Sequence, residues 1–181
     1  SPTLVKMCCV ATTPGSRAVI RPVNGPKVLP LRLTVAVISS MSKHTNIHII
    51  AMADLFDDKL KTIGPKLNEL NIAKGFLSIA AANIFQGSKA YLKLLALKDI
   101  DAVLISSPAY THPTFMEAAV AAGKHVYCEK PVATDAAGCK RIQRVGEGLN
   151  GKLSVVIGFQ IRYATPYVEM VKRIQRADIG D

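Results

Sequence analysis

Beyond residue 45 the chain alternates short β-like runs with stretches of helical periodicity, the order expected of a parallel sheet joined by crossover helices. Residues 46–53 (NIHIIAMA) are rich in Ile and run into Asp54, which predicts a buried strand followed by a turn. In residues 57–70, Leu60, Ile63, Leu67 and Leu70 recur at helical spacing, although Gly64 and Pro65 interrupt the pattern. Residues 71–87 commit to little beyond a short strand near Ile84 and Phe85, and residues 89–97 read as a short helix. Residues 101–107 (DAVLISS) form the clearest strand, an apolar run closed by Pro108 as in a strand covered on both faces. Thr114 and Glu117 then have the spacing of a capping box, with Gly123 ending the helix. A strand over 124–128, a helix over 134–149 around Gly138, a β-rich run over 153–159 and a last helix opened by Thr165 and Pro166 complete the series. Right-handed connections turn this series into a doubly wound, mostly parallel α/β sheet of Rossmann-like type.

Composition narrows the function classes. A chain of 181 residues, 49% hydrophobic, is long enough for one core, and no apolar run approaches the ~20 residues that cross a bilayer. Cys8, Cys9, Cys128 and Cys139 match neither a disulfide framework nor a metal-ligand spacing. No metal is therefore expected, and idle thiols fit a reducing, cytoplasmic setting. The net charge of +10 points toward an acidic partner only until its distribution is read. No Asp or Glu precedes Asp54, while Lys6, Arg17, Arg21, Lys27, Arg32 and Lys43 do, which leaves 17 basic against 13 acidic residues afterwards. With five Phe and five Tyr and no basic motif interleaved with aromatics, nucleic acid is not the expected partner. The acid-free start also has the composition of an organellar targeting segment, but Pro14, Pro22, Pro26 and Pro30 would break the helix such a segment needs.

In sheets of this kind ligands bind beyond the carboxyl ends of the strands. The positions to inspect are Asp54, the segment from Ser107 to Pro113, Glu129 to Pro131, and Gln160 to Tyr163. An acid at the end of the second strand accepts hydrogen bonds from both hydroxyls of an adenosine ribose, which favours NAD over NADP, yet an Asp after a strand also serves as a plain turn or cap. His112 likewise reads either as a cofactor-loop residue or as a helix-start residue beside Pro113.

The run AGKHVYCEKP, preceded by DAVLISSPAYTHPTFMEAAVA, resembles the signature of the glucose-fructose oxidoreductase/inositol dehydrogenase/MocA (Gfo/Idh/MocA) family. GFQIRYATPYVEMVKRIQRADIGD is similar to that family's passage from the sixth strand toward its second domain, so the likeness covers about residues 46–181. It implies hydride transfer between a nicotinamide cofactor, NAD rather than NADP, and a secondary alcohol of a sugar or cyclitol. By this resemblance Lys130 is the catalytic residue, a partly desolvated amine that takes the hydroxyl proton, with Glu129 to orient it and Pro131, in a cis peptide bond, to fix the backbone beyond. Ser107, Pro108 and His112 belong to the loop passing the pyrophosphate and nicotinamide ribose. Gln160, Arg162 and Tyr163 fall where cofactor and substrate domains meet, and Arg162 reads equally as an anion ligand or a structural ion-pair partner.

Two departures qualify the resemblance. The expected GxGxxG loop falls near residues 18–27 (AVIRPVNGPK), where only Gly25 is on offer, while residues 34–41 resemble the helix that should follow. The expected organisation is thus a divergent basic segment over 1–33, a nucleotide-binding domain over 34–160, and the start of a linker over 161–181 toward a substrate domain that is not present. Weak or absent turnover is expected of such a chain. The competing reading is a non-catalytic Rossmann-type binding or regulatory module that uses its basic start; a homo-oligomer is left open.

Overall fold

The structure, a computed structural model, describes residues 5–11, 38, 46–178 and 180. Six strands form one sheet: β1 (Val5–Ala11), β2 (Ile47–Asp54), β3 (Ile84–Gln86), β4 (Ala102–Ile105), β5 (His125–Cys128) and β6 (Val155–Ile157), in the order β3-β2-β1-β4-β5-β6. Every pairing is parallel. The described helices are α1 (Asp57–Ala73), α2 (Ala90–Leu95), α3 (His112–Ala121), α4 (Ala136–Glu147), the single turn α5 (Gln160–Tyr163) and α6 (Thr165–Gln175). The order reverses between β1 and β4, which makes their carboxyl ends the switch point of a dinucleotide-type sheet.

One boundary differs from the sequence expectation. The central strand comes from residues 5–11, inside the stretch expected to be a divergent segment over 1–33, so the sheet is not confined to 34–160. VKMCCVA is short and followed by an acid-free, proline-rich stretch, and without the pairing partners on either side its β character does not stand out. The connection leaving β1 begins at residue 12, ahead of residues 18–27 where a glycine loop was sought; both stretches lie outside the described residues, as does the 34–41 helix apart from buried Ile38.

Side chains of β2 and β4 alternate between two cores. Leu104 of β4 joins Ile38, Ile47, Ile49, Met52, Leu60, Ile63 and Leu67 against α1. Val103 and Ile105 join Ala51, Ala53, Leu94, Phe115 and Met116 beneath α2 and α3. Within β2, odd-numbered Ile47 and Ile49 face one core and odd-numbered Ala51 and Ala53 the other. The cause is a register shift: Met7 pairs with Ile49 but Cys8 with Ala51, so Ile50 is skipped and the side-chain period of two inverts.

β3 is too short to pair with the first half of β2, and side-chain amides take its place. Asn71, 1% exposed, accepts from Ile49 N–H (2.9 Å) and donates to the carbonyls of Ile49 (2.8 Å) and Leu77 (3.0 Å). Asn83 donates to the Ile50 carbonyl at 3.0 Å. Lys124 does comparable work at the foot of β5, where its buried amine donates to the carbonyls of Ile100 (2.7 Å) and Leu97 (3.2 Å).

The capping box expected at Thr114 and Glu117 is not formed. The helix starts two residues earlier, at His112, and both side chains turn to α4 instead. Arg141 donates to Glu117 Oε1 at 2.8 Å and to the Thr114 hydroxyl at 3.1 Å. That guanidinium holds the Glu117 carboxyl below its usual range. α4 does carry a side-chain cap, with Asp135 Oδ1 accepting from Gly138 N–H. α6 begins at Thr165 with Ala164, not Thr165, in the capping position.

Asn71→Ala strips the buried N–H and carbonyl of Ile49 of their side-chain partner, so a loss of about 2 kcal/mol is expected. Urea unfolding checks it; an unchanged midpoint would mean that these amides are not what completes β2.

Candidate functional site

All six strands present their carboxyl ends on one edge, and the residues there divide by how well their polar groups are satisfied. Asp54 ends β2, paired with Ala11 of β1 and 3% exposed. Its Oδ1 accepts from Phe56 N–H at 2.9 Å, a turn-type bond, so the plain turn reading holds for one oxygen. The Leu55 N–H is a second backbone donor to the carboxylate, which still has lone pairs to spare. Burial pushes the carboxyl up to about 6, against a smaller downward pull from the Phe56 bond. A buried carboxylate with spare acceptor capacity at a strand end fits the diol of an adenosine ribose.

The loop after β4 is tightly self-bonded. The hydroxyls of Ser107 and Thr111 lie 2.6 Å apart, Thr111 Oγ1 donates to the Pro108 carbonyl at 2.8 Å, and Thr111 N–H donates to the same oxygen at 2.9 Å. Ser107 therefore spends its side chain within the loop. Ser106, one residue before it, is 3% exposed and its Oγ has no hydrogen-bond partner among the described residues. An orphaned hydroxyl beside the switch point is the kind of group a polar ligand satisfies. Sequence carried no signal for it, because VLISSP does not show which serine closes the loop.

His112, expected to pass the cofactor, is 1% exposed and turned inward. Its Nδ1 lies 2.7 Å from the Pro131 carbonyl and its Nε2 2.7 Å from the Ser107 carbonyl. Its side chain has no nitrogen left for a cofactor.

Beyond β5, the Lys130–Pro131 peptide is cis, as the resemblance implied. Glu129 N–H donates to the Ile105 carbonyl at 2.9 Å, extending the ladder one residue past the strands. The Glu129 side chain is buried but makes no ion pair with Lys130 among the described residues; it lies against Gly158, where a Cβ would come 2.8 Å from Glu129 Oε2 and 2.7 Å from Tyr127 Oη. The orienting contact expected from Glu129 is thus not made. Lys130 is exposed and forms no ion pair among the described residues, so the partial desolvation expected of it is not supplied by this part of the fold. Beneath it Cys128 is inert: burial, with the charge of Glu129 adding to it, pushes the thiol up to about 12.

Arg162 lies on α5, which follows the carboxyl end of β6. It lines a surface groove with Ile161, Tyr167 and Lys172, and makes no ion pair among the described residues. The side chains of Gln160 and Tyr163 lie outside the described set. No group of His, Cys, Asp and Glu suited to a metal occurs among the described residues, and no described helix is long and apolar enough to cross a membrane.

From Asp54 to Lys130 the edge crosses β1 and β4 to β5, three strand spacings or about 14 Å. A doubly wound sheet with an acid at one end of that span and a Glu-Lys-Pro segment at the other defines a dinucleotide-dependent oxidoreductase fold. Residues 65–157 match the model of the Gfo/Idh/MocA oxidoreductase family with an NAD-binding Rossmann fold, and the chain belongs to that family. It is 39% identical over 89 residues to an inositol 2-dehydrogenase/D-chiro-inositol 3-dehydrogenase of Shouchella clausii, covering 49% of this chain and 25% of that protein. It is 32% identical over 132 residues to an inositol 2-dehydrogenase of Acidothermus cellulolyticus, covering 73% of this chain and 34% of that protein. Among solved structures, the myo-inositol dehydrogenase of Lactobacillus casei in complex with NAD(H) and myo-inositol superposes with a TM-score of 0.71 at 20% identity, over 98% of this chain and 43% of that one. The chain thus spans about a quarter to a third of these curated relatives and under half of that solved structure.

The raised Asp54 carboxyl has a pH signature. A folded-state value above the unfolded one means that stability from this group is present at pH ~4 and lost as pH rises through about 6. Asp54→Asn keeps the bond from Phe56 and removes the titration, so above pH 6 the variant should be more stable than the parent by about 1–3 kcal/mol, with the gap closing toward pH 4. Denaturant midpoints across that range decide it; equal pH profiles would refute the assignment. Gly158→Ala drives a methyl into Glu129 and Tyr127 and should cost about 1–3 kcal/mol, read from the same unfolding curves.

Proposed function

We propose that this domain binds NAD along the carboxyl edge of the sheet and serves reversible hydride transfer to or from a secondary alcohol of a cyclitol or sugar. The observation that carries the reading is Asp54: a buried carboxylate at a strand end flanking the switch point, with acceptor capacity beyond the backbone bonds from Phe56 and Leu55. Asp54 would hold the two ribose hydroxyls and repel a 2′-phosphate, which selects NAD over NADP. Ser106 would give or accept a hydrogen bond in the middle of the span. Ser107 and Pro108 would shape the loop wall, and Pro131 the turn beyond Lys130. The substrate class follows from membership in a family whose matched relatives are inositol dehydrogenases.

When bound, the nicotinamide supplies the hydride acceptor. Lys130 takes the hydroxyl proton as the carbinol C–H bond breaks and the carbonyl forms, and returns it in the reverse direction. Because the described fold leaves Lys130 exposed, little besides the ligands themselves would exclude water there. Cofactor binding is therefore expected to exceed turnover in what this chain does alone. The small-molecule reading is preferred to a non-catalytic module because the unsatisfied polar groups gather at the strand-end edge.

Titrating the chain into NADH and following nicotinamide fluorescence tests the proposal. A saturable change is expected, weakened by about tenfold in Asp54→Ala through loss of a charged hydrogen-bond acceptor. Lys130→Met should leave that affinity in place and abolish any myo-inositol-dependent reduction of NAD. No saturable change at millimolar NADH would remove the cofactor reading.

A further inference from the structure

We propose that His112 is a positioning residue for Lys130, tying the loop after β4 to the loop after β5 through both ring nitrogens. The inference rests on the reading of Lys130 given above, and goes beyond it by naming what holds that lysine in place.

An exposed side chain is located by its backbone, since nothing packs on it. The Lys130 backbone is anchored on both sides. Upstream, Glu129 N–H donates to the Ile105 carbonyl at the tip of β4. Downstream, the Pro131 carbonyl meets His112 Nδ1 at 2.7 Å. The first anchor continues the strand ladder and follows from the sheet. The second is a side chain reaching 19 residues along the sequence, and no secondary structure requires it.

The imidazole is itself held rigidly. Its Nε2 meets the Ser107 carbonyl at 2.7 Å, five residues back along the same loop. That loop is closed by the Ser107–Thr111 hydroxyl contact and by two bonds from Thr111 to the Pro108 carbonyl. His112 is also the first residue of α3, whose Phe115 and Met116 are buried in the core. A displacement of the Pro131 peptide must therefore move a buried ring, a stapled loop or a packed helix.

Chemistry makes the tie specific to histidine. Carbonyl oxygens only accept, so a ring nitrogen bonds one only when it carries the proton: the neutral ring donates to one of the two carbonyls and packs its other edge against the second, whereas the imidazolium donates to both from opposite edges of one rigid plane. Ala at 112 offers neither. Gln offers both of its N–H groups from one nitrogen, which reaches one carbonyl but does not span two.

Amide hydrogen exchange on the full chain, compared with H112A and H112Q, provides the test. In H112A the amides of Glu129 and Thr111, each bonded to a backbone carbonyl at 2.9 Å on the two tied loops, should exchange about tenfold faster, while those of Leu104 and Val126 stay within about twofold. H112Q should fall between the two, a partial rescue that a generic packing loss would not give. The NADH dissociation constant should stay within about threefold, whereas any myo-inositol turnover should drop about 100-fold, the effect expected of a catalytic group misplaced by about 1 Å. Should H112A fail to fold, H112Q carries the comparison.

Unchanged exchange at Glu129 and Thr111 in a folded variant overturns the proposal, as does acceleration of all amides together. If the unaltered chain fails to bind NADH, the cofactor reading falls while the exchange result still decides whether His112 anchors the Lys130 backbone.

Discussion

Strands that run side by side in the same direction force the chain to cross back over the sheet between each pair, and every strand then ends on the same edge. In this protein all described pairings are parallel, so Asp54, Ser106, Glu129 and Lys130, scattered over 77 positions of sequence, arrive along one line of strand tips. The reversal of strand order between β1 and β4 parts the crossovers and opens that edge at its middle. Each feature of the site is a consequence of this arrangement, and none is local in sequence.

The two ends of the sheet treat buried polar groups differently. Away from the strand tips, Asn71 and Lys124 are buried and bonded to several carbonyls apiece, which is the condition for keeping polar atoms in a core. At the tips, the Asp54 carboxylate has only the backbone donors Phe56 and Leu55 among the described residues, and the Ser106 hydroxyl has no partner among them. The carboxyl of Asp54 is raised because burial outweighs the backbone bonds from Phe56 and Leu55. A fold that satisfies Asn71 so fully and leaves Asp54 and Ser106 short is tolerating instability where a ligand would relieve it, the usual relation between stability and function.

Much of the architecture was readable from periodicity. The run DAVLISS became β4 within a residue or two at each end, and 57–70 became α1 despite Gly64 and Pro65. The failures are cases in which a local rule met a stronger distant partner. Thr114 and Glu117 had capping-box spacing, but Arg141 on a neighbouring helix took both side chains and the helix began earlier. β1 went unread because its seven residues have no partner nearby in sequence; β2 and β4, which pair with it, lie more than 30 residues away. At the site, Asp54 and Lys130 were legible from their place after strands and from the Glu-Lys-Pro run. Ser106 and Gly158 were not, since an orphaned hydroxyl and a missing Cβ acquire meaning only beside atoms brought from elsewhere.

Sequence alone determined the alternation of strands and helices, the family to which the chain belongs, and the acid and lysine at the two ends of the edge, because these depend on residue type and on spacing along the chain. Tertiary structure decided that the central strand is residues 5–11, that a skipped Ile50 inverts the faces of β2, that Glu129 packs on Gly158 away from Lys130, and that His112 faces inward. Those outcomes rest on hydrogen-bond partners and packing neighbours separated by tens of residues, and spacing along a chain does not encode which of them will meet.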